Sequence, residues 1–148
     1  DIYDRYLKGG SGKIVFGVVP DKGYYLAAPN GYPAMDYEAM FDTFRALPWA
    51  QYADLTPTLT AASYYRTDTH WRQECLTDAA ALLADALGVD IDDSYTPEKL
   101  ERPFYGVYYG QAALPLEPDT LWLLFTAPPR ILFIKFPSFP GDVPAAIR

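Results

Sequence analysis

The only histidine of the chain, His70, follows an acid at Asp68 and directly precedes Trp71. A neighbouring carboxylate can accept an N–H of the imidazole, fix its tautomer and leave the other ring nitrogen free to take a proton from a nucleophile. If the segment is extended, side chains two residues apart point the same way and the two groups meet. The spacing therefore predicts an acid–histidine pair suited to general-base catalysis.

A plainer interpretation of the same residues is a helix start. Trp71 to Leu87 has apolar residues at helical spacing, Thr69 is a plausible N-cap, and Gly88 is placed as the C-terminal stop. The positive end of such a helix would also help to keep His70 neutral. On the residues alone, a catalytic pair and an ordinary cap both stay open.

Metal and cofactor sites are not indicated. One histidine and one cysteine exclude the usual Cys/His zinc sites, and no further acid cluster has ligand spacing beside Asp68 and His70. We predict neither a metal nor a cofactor. Cys75 falls on the apolar face of the predicted helix and is interpreted as a structural thiol.

Aromatic and charged side chains surround the acid–histidine pair: Tyr64, Tyr65, Arg66 and Trp71. Aromatic faces beside a polar centre can stack on sugar rings, and Arg66 could bind an anion. Alternatively, Trp71 anchors the predicted helix to the core. We take all four residues as candidate substrate-binding residues.

The elements upstream predict where a site would lie. Residues 13–20 are short, β-branched and almost continuously apolar, which is typical of a strand buried on both faces of a parallel or mixed sheet. Asp21 and Lys22 follow at its C-terminal edge, where ligands bind in open α/β sheets. These two residues join the substrate-binding candidates.

The remaining pattern alternates helices and strands, which predicts the α/β class. Asp36 can cap a helix over residues 35–48. The other predicted elements are a strand near 52–55, a short helix starting at Thr96-Pro97-Glu98, and strand-like runs at 104–110 and 120–125. A sheet built from these pieces is small and has ragged edges. We therefore expect a truncated domain whose exposed strand edge would favour a homodimer.

Size and charge set further limits. The 148 residues suit one domain, and the net charge of -7 argues against nucleic-acid binding. The apolar runs are too short to cross a bilayer, so membrane contact is expected only through a segment not present here. Because the chain begins at Asp1 rather than Met, we expect it to be a piece of a longer product.

A family resemblance rests on these same segments. "YYRTDTHW" resembles the signature of the bacterial DHHW protein family, and it is similar to the Asp-x-His-Trp segment of the SGNH-hydrolase-like O-acetyltransferases of alginate and other cell-surface polysaccharides. The segments "VVPDKGYYL", "YADLTPTLTAA" and "FYGVYYGQAAL" are similar as well. The resemblance covers about residues 13–125.

The resemblance implies an SGNH-like three-layer α/β/α domain, single and partial over residues 1–148. It implies an extracytoplasmic protein of the bacterial cell envelope that acts on carbohydrate or acyl-carbohydrate ligands. Asp68 would be the orienting acid and His70 the general base. Acyl transfer would then pass through a serine ester to a sugar hydroxyl or to water.

The C-terminal residues depart from the family pattern, which calls for a serine turn after a strand. Here only Ser138 follows a strand-like run, at residues 130–135, and Pro137 and Pro140 remove N–H groups from its turn. Ser138 is the nucleophile candidate, and residues 126–148 are interpreted as a diverging proline-rich tail. The alternative is an inactive remnant, or a glycan- or protein-binding module.

Overall fold

The computed structural model describes residues 5, 8–10, 12–92, 94–113 and 115–126. These residues contain two small sheets, four α-helices and four short 3₁₀ helices. Strand β1 (Val15–Phe16) pairs in parallel with β2 (Gln51–Tyr52), and β3 (Tyr95–Phe104) pairs antiparallel with β4 (Asp119–Thr126). The helices are α1 (Lys22–Leu26), α2 (Tyr37–Arg45), α3 (Thr77–Leu87) and α4 (Val107–Ala112). This mixture confirms the α/β class. In the described ranges, no helix has both the length and the apolar character that a membrane crossing requires.

The first predicted strand is shorter and less enclosed than expected. The parallel ladder at β1 includes bonds from Gln51 N to Ile14 O (2.9 Å) and from Ala53 N to Phe16 O (2.8 Å). Its residues are half-buried, so the expectation of a strand buried on both faces is wrong. The reason is that β2 is its one strand partner among the described residues, and a two-stranded sheet covers few faces.

Helix α2 lies where the sequence predicts it. Asp36 is its N-cap, and the Asp36 carboxylate accepts from Ala39 N at 3.0 Å. Phe41 on its apolar face is fully buried, and the aromatic rings packed around it are Tyr24, Tyr37 and Tyr52. This aromatic cluster joins α1, α2 and the first sheet.

Helix α3 starts six residues later than predicted. Residues Gln73–Cys75 form a 3₁₀ turn, and the α-helix begins at Thr77 with Leu76 as its N-cap. The correction has a tertiary cause: Trp71 forms a β-bridge with Tyr64, which holds the backbone extended where a helix was expected. Thr69 is therefore not the N-cap. The helix ends as predicted, at Gly88 in the left-handed conformation (φ 74°).

The predicted helix at Thr96-Pro97-Glu98 is also wrong, because these residues lie in β3. Each pairs across to β4, with Pro97 opposite Leu124 and Glu98 opposite Leu123. The predicted strand at 120–125 is confirmed as part of β4. Cross-strand pairing with this apolar strand outweighs the local cap-and-proline signal.

The strand-like run 104–110 instead turns into helix α4. Phe104 ends β3, and Gly106 is the N-cap of α4. The amides of Gly106 and Val107 are satisfied by side chains from residues 67 and 68, so a helix can begin there without a partner strand. The predicted strand at 130–135 and the tail from residue 127 onward lie outside the described residues.

Candidate active site

The acid–histidine motif lies on a short reversing segment, residues 64–71, called here the motif loop. The Tyr64–Trp71 bridge closes its base. Tyr65 N donates to His70 O at 3.1 Å, which holds the loop closed one residue further in. The loop is thus a pinned hairpin-like turn that precedes α3, and not the first turn of a helix. The expectation that a helix dipole acts on His70 is therefore wrong, because α3 begins only at Thr77.

Asp68 and His70 make the contact that their spacing predicts. His70 Nδ1 lies 2.5 Å from Asp68 Oδ1, and the backbone N–H of His70 donates to the same oxygen at 3.0 Å. A carboxylate only accepts, so Nδ1 carries the hydrogen, and in the neutral imidazole Nε2 is then the acceptor. Asp68 is 4% exposed, whereas the side chain of His70 is 77% exposed. The buried acid therefore holds an imidazole whose second nitrogen is accessible.

The charged state of Asp68 is stabilised by hydrogen bonds. Burial by itself would raise the pKa of Asp68, but the N–H groups of His70 and Val107 and the imidazole outweigh it and lower that pKa to about 2. Asp68 is therefore ionised throughout the neutral range. An ionised acid in this position stabilises an imidazolium when His70 takes up a proton.

A hydrogen bond and a close backbone contact hold the N-terminus of α4 against Asp68. Val107 N donates to Asp68 Oδ2 at 2.9 Å, so both carboxylate oxygens are held. Gly106 approaches so closely that a Cβ built there would lie 2.3 Å from Asp68 Cβ and 2.4 Å from Thr67 O. Only a glycine fits at residue 106 without displacing the motif loop.

The start of β4 holds the other side of the motif loop through Asp119. Its two carboxylate oxygens accept three hydrogen bonds, from Arg66 N, Thr67 N and Thr67 Oγ1. The side chain of Arg66 donates in turn to Glu117 O. Gly106 and Asp119 were not among the site residues that the sequence indicated. A usable signal for Gly106 was its place in the "FYGVYYG" segment, while Asp119 carries no local signal.

Lys22 reaches the motif loop from α1, as its place after β1 suggested. Its Nζ donates to Arg66 O at 3.4 Å and lies 4.8 Å from the centre of the Tyr108 ring. Partial burial lowers the pKa of Lys22, although Asp119 and Asp68 act in the opposite direction. Asp21 is already engaged, because its carboxylate caps α1 and accepts from Tyr37 Oη at 2.7 Å.

The aromatic residues of the motif differ in exposure. Tyr64 and Tyr65 are buried: the Tyr64 hydroxyl donates to Pro20 O, and the Tyr65 ring packs edge-on against Phe104 at 5.1 Å. Rings so enclosed offer no face to a sugar, so we leave both out of the substrate-binding set proposed below. Trp71 is half-buried and Arg66 is exposed.

An exposed pair of aromatic rings lies near Val107, the residue that donates to Asp68. Tyr105 and Tyr109 are 50% and 38% exposed, and their ring centres are 4.6 Å apart. Each is two residues from Val107, which touches Asp68, so their Cα atoms lie within about 7.6 Å of the Val107 Cα. Sequence reasoning missed these two tyrosines because it treated their segment as a strand.

The serines of the described residues are occupied elsewhere. The Ser63 hydroxyl is buried and accepts from Thr60 N at 3.0 Å, and the Ser94 hydroxyl donates to Asp92. Ser138 lies outside the described residues, so its role stays a prediction. Within the described residues, no group of three His, Cys, Asp or Glu side chains could hold a metal ion. Burial raises the pKa of Cys75, which fits a structural thiol.

The chain is thus a small α/β domain that carries an oriented Asp–His pair on a braced loop. No family model and no curated protein matches it. Its structure is similar to that of a DHHW family protein from Eubacterium siraeum DSM 15702, with a TM-score of 0.65 and 25% sequence identity. The match covers 79% of this chain and 42% of that one, so the chain spans less than half the length of its neighbour. The similarity supports the resemblance to the DHHW family.

Proposed function

We propose that this chain is part of a DHHW-family protein and carries the acid–base half of a serine-type acyl-transfer site. The observation that carries the proposal is the hydrogen bond of 2.5 Å between a buried, ionised Asp68 and an exposed His70. A plain helix cap needs no imidazole on the acid, whereas a general base needs this orientation and an accessible Nε2.

The reaction assigned to the pair is transfer of an acyl group from an ester. As the serine oxygen bonds to the acyl carbon, its proton passes to Nε2 of His70, and Asp68 stabilises the imidazolium. The ester carbon–oxygen bond breaks, and the leaving alcohol takes that proton. A sugar hydroxyl or water then attacks the serine ester in the same way. Ser138 is the proposed nucleophile.

The proposed ligand is a carbohydrate or acyl-carbohydrate. Lys22, Arg66 and Trp71 stay in the substrate-binding set because all three are at least partly exposed at the motif loop. Asp21 stays a proposed member of this set: its carboxylate caps α1, the helix that begins with Lys22. By the same resemblance we propose an SGNH-like α/β/α arrangement for the whole domain, and an extracytoplasmic location in the cell envelope. A homodimer remains a prediction.

Loss of the imidazole tests this proposal. In the longer parent protein, His70→Ala should lower the rate of acetyl-ester hydrolysis about 10²- to 10⁴-fold, since a general base contributes about that much. The measurement is release of acetate from an acetylated oligosaccharide and of nitrophenol from p-nitrophenyl acetate. Tyr32→Ala, which removes a 70% exposed ring outside the motif loop, is the control and should retain activity. Equal rates for the wild type and His70→Ala would refute the general-base role.

A second candidate function is a glycan-binding module, and the exposed Tyr105–Tyr109 pair favours it. Exposed aromatic rings with polar tips are suited to contacts with a partly hydrated ligand. The same proteins separate the two candidates. A module predicts no turnover by either the wild type or His70→Ala, together with equal affinity of both for chitotriose in calorimetry.

A further inference from the structure

Asp119 makes three short contacts with a loop that lies 52 or 53 residues earlier in the chain. Its Oδ1 accepts from Arg66 N at 2.9 Å. Its Oδ2 accepts from Thr67 N at 2.7 Å and from Thr67 Oγ1 at 2.6 Å. A carboxylate suits this place because every facing group is a donor.

Thr67 passes this restraint to the acid–histidine pair. The residue is fully buried, and two further hydrogen bonds fix it: Gly106 N donates to Thr67 Oγ1 at 3.0 Å, and Tyr108 N donates to Thr67 O at 2.9 Å. Asp68 is the next residue. With the peptide before it held in place, the Asp68 carboxylate is aimed at His70 and Val107.

We propose that Asp119 is a positioning residue for the Asp68–His70 pair and acts through Thr67. The consequence for turnover rests on the proposed function, whereas the consequence for the geometry of the pair does not. The hydrogen bonds of Asp119 described above go to Arg66 and Thr67 and not to Asp68 or His70, so Asp119 is not assigned a catalytic role. Its effect is to hold the orienting acid within hydrogen-bond reach of the imidazole.

The test replaces Asp119 by its uncharged isostere. In Asp119→Asn, one of the two acceptor oxygens becomes an NH₂ group, so at least one donor of the motif loop faces another donor. We expect the imidazole Nδ1 proton resonance in NMR, which lies far downfield when Asp68 holds it, to move upfield or to broaden beyond detection. His70 is the only histidine, so its ring resonance is unambiguous.

Two controls separate positioning from general damage. Asp92→Asn makes the same chemical change at an exposed carboxylate that only caps its own turn, and it should leave the resonance unchanged. Thr67→Val removes the hydroxyl that joins Asp119 to Gly106 and should reproduce the loss, whereas Thr67→Ser keeps that hydroxyl and should restore the signal. If Asp119→Asn does not fold, the two Thr67 variants decide the matter.

The proposal is overturned if folded Asp119→Asn, or folded Thr67→Val, keeps the Nδ1 resonance at the wild-type position. This readout needs no turnover, so it stands even if the chain proves inactive. If the parent protein is active, kcat of Asp119→Asn should fall about 10- to 100-fold with little change in KM. A lost resonance with unchanged kcat would leave the positioning role in place and count against the proposed reaction.

Discussion

Asp68 combines the two roles between which the sequence left a choice. It does act as a local cap, since His70 N donates to its carboxylate, but it caps its own turn and not a helix. The same oxygen receives Nδ1 of His70, and the other receives Val107 N. One buried carboxylate therefore both shapes the motif loop and orients the imidazole.

Gly106 offers the sharpest residue-level prediction. A methyl group at residue 106 would lie 2.4 Å from Thr67 O, a backbone atom that cannot rotate away. We expect Gly106→Ala to lower the free energy of unfolding by about 1–3 kcal/mol, the usual cost of overpacking. Urea denaturation monitored by circular dichroism measures this change.

Gly110, four residues further along α4, is the matched control. Nothing lies within 4 Å of a Cβ built there, so Gly110→Ala meets open space. Because alanine favours helix over glycine by about 1 kcal/mol, this variant should be neutral or slightly more stable. Equal destabilisation by both variants would show that α4 does not pack on the motif loop as described.

At the scale of elements, the predictions succeeded where the signal is local. Asp36 with the apolar spacing around Phe41 predicted α2, and the apolar run 120–125 predicted most of β4. The start of α3, the strand β3 and the helix α4 were missed for one shared reason. In each case a partner outside the local pattern sets the backbone: Tyr64, seven residues earlier, for Trp71, β4 for Pro97, and Asp68 for Val107.

The same distinction between local signals and partners elsewhere in the chain applies to the candidate site. The Asp68–His70 contact spans two residues, so spacing alone could predict it. The braces from Val107 and Asp119 come from 39 and 52 residues away, and no local pattern encodes such pairings. The buried state of Tyr64 and Tyr65 was hidden for the same reason, because a tyrosine suits a core as well as an open cleft.

The cap of α2 gives a prediction at this scale. Asp36→Ala removes the acceptor for Ala39 N and should lower the free energy of unfolding by about 0.5–2 kcal/mol. Asp36→Asn keeps an acceptor oxygen and should stay close to the wild type, since asparagine caps about as well as aspartate. The measurement is chemical denaturation of the three proteins in parallel. Similar losses in both variants would point to charge, rather than the cap, as the stabilising feature.

For the whole molecule, acid should weaken the fold through its bound carboxylates. Hydrogen bonds lower the pKa of Asp68 from 3.8 to about 2, against the effect of burial, and lower the pKa of Asp119 as well. A carboxyl group whose pKa is lower in the folded state stabilises the fold at pH values above its pKa in the unfolded chain. That stability should be lost as the pH falls from about 3.8 towards 2.

Denaturation curves at a series of pH values test this dependence. In Asp68→Asn, one titrating group is removed, so the free energy of unfolding should fall less steeply with acid than in the wild type, whatever its value at neutral pH. Identical slopes for the two proteins would contradict a lowered pKa for Asp68. Thr43→Ala, which removes an exposed hydroxyl bonded to Ala39 O and not to a carboxylate, serves as the control and should keep the wild-type slope.

The long sequence separations around the motif loop also set the order of assembly. The nearest pair of the β3–β4 sheet, Phe104 with Asp119, spans 15 residues, whereas the contacts of Asp68 and Thr67 with residues 107 and 119 close loops of 39 and 52 residues. Closing longer loops costs more entropy, so we expect these contacts to form after the nearest strand pairs. We therefore expect the ring signal of the single histidine to report this docking, because its orienting acid is held by Val107 as well as by its own loop.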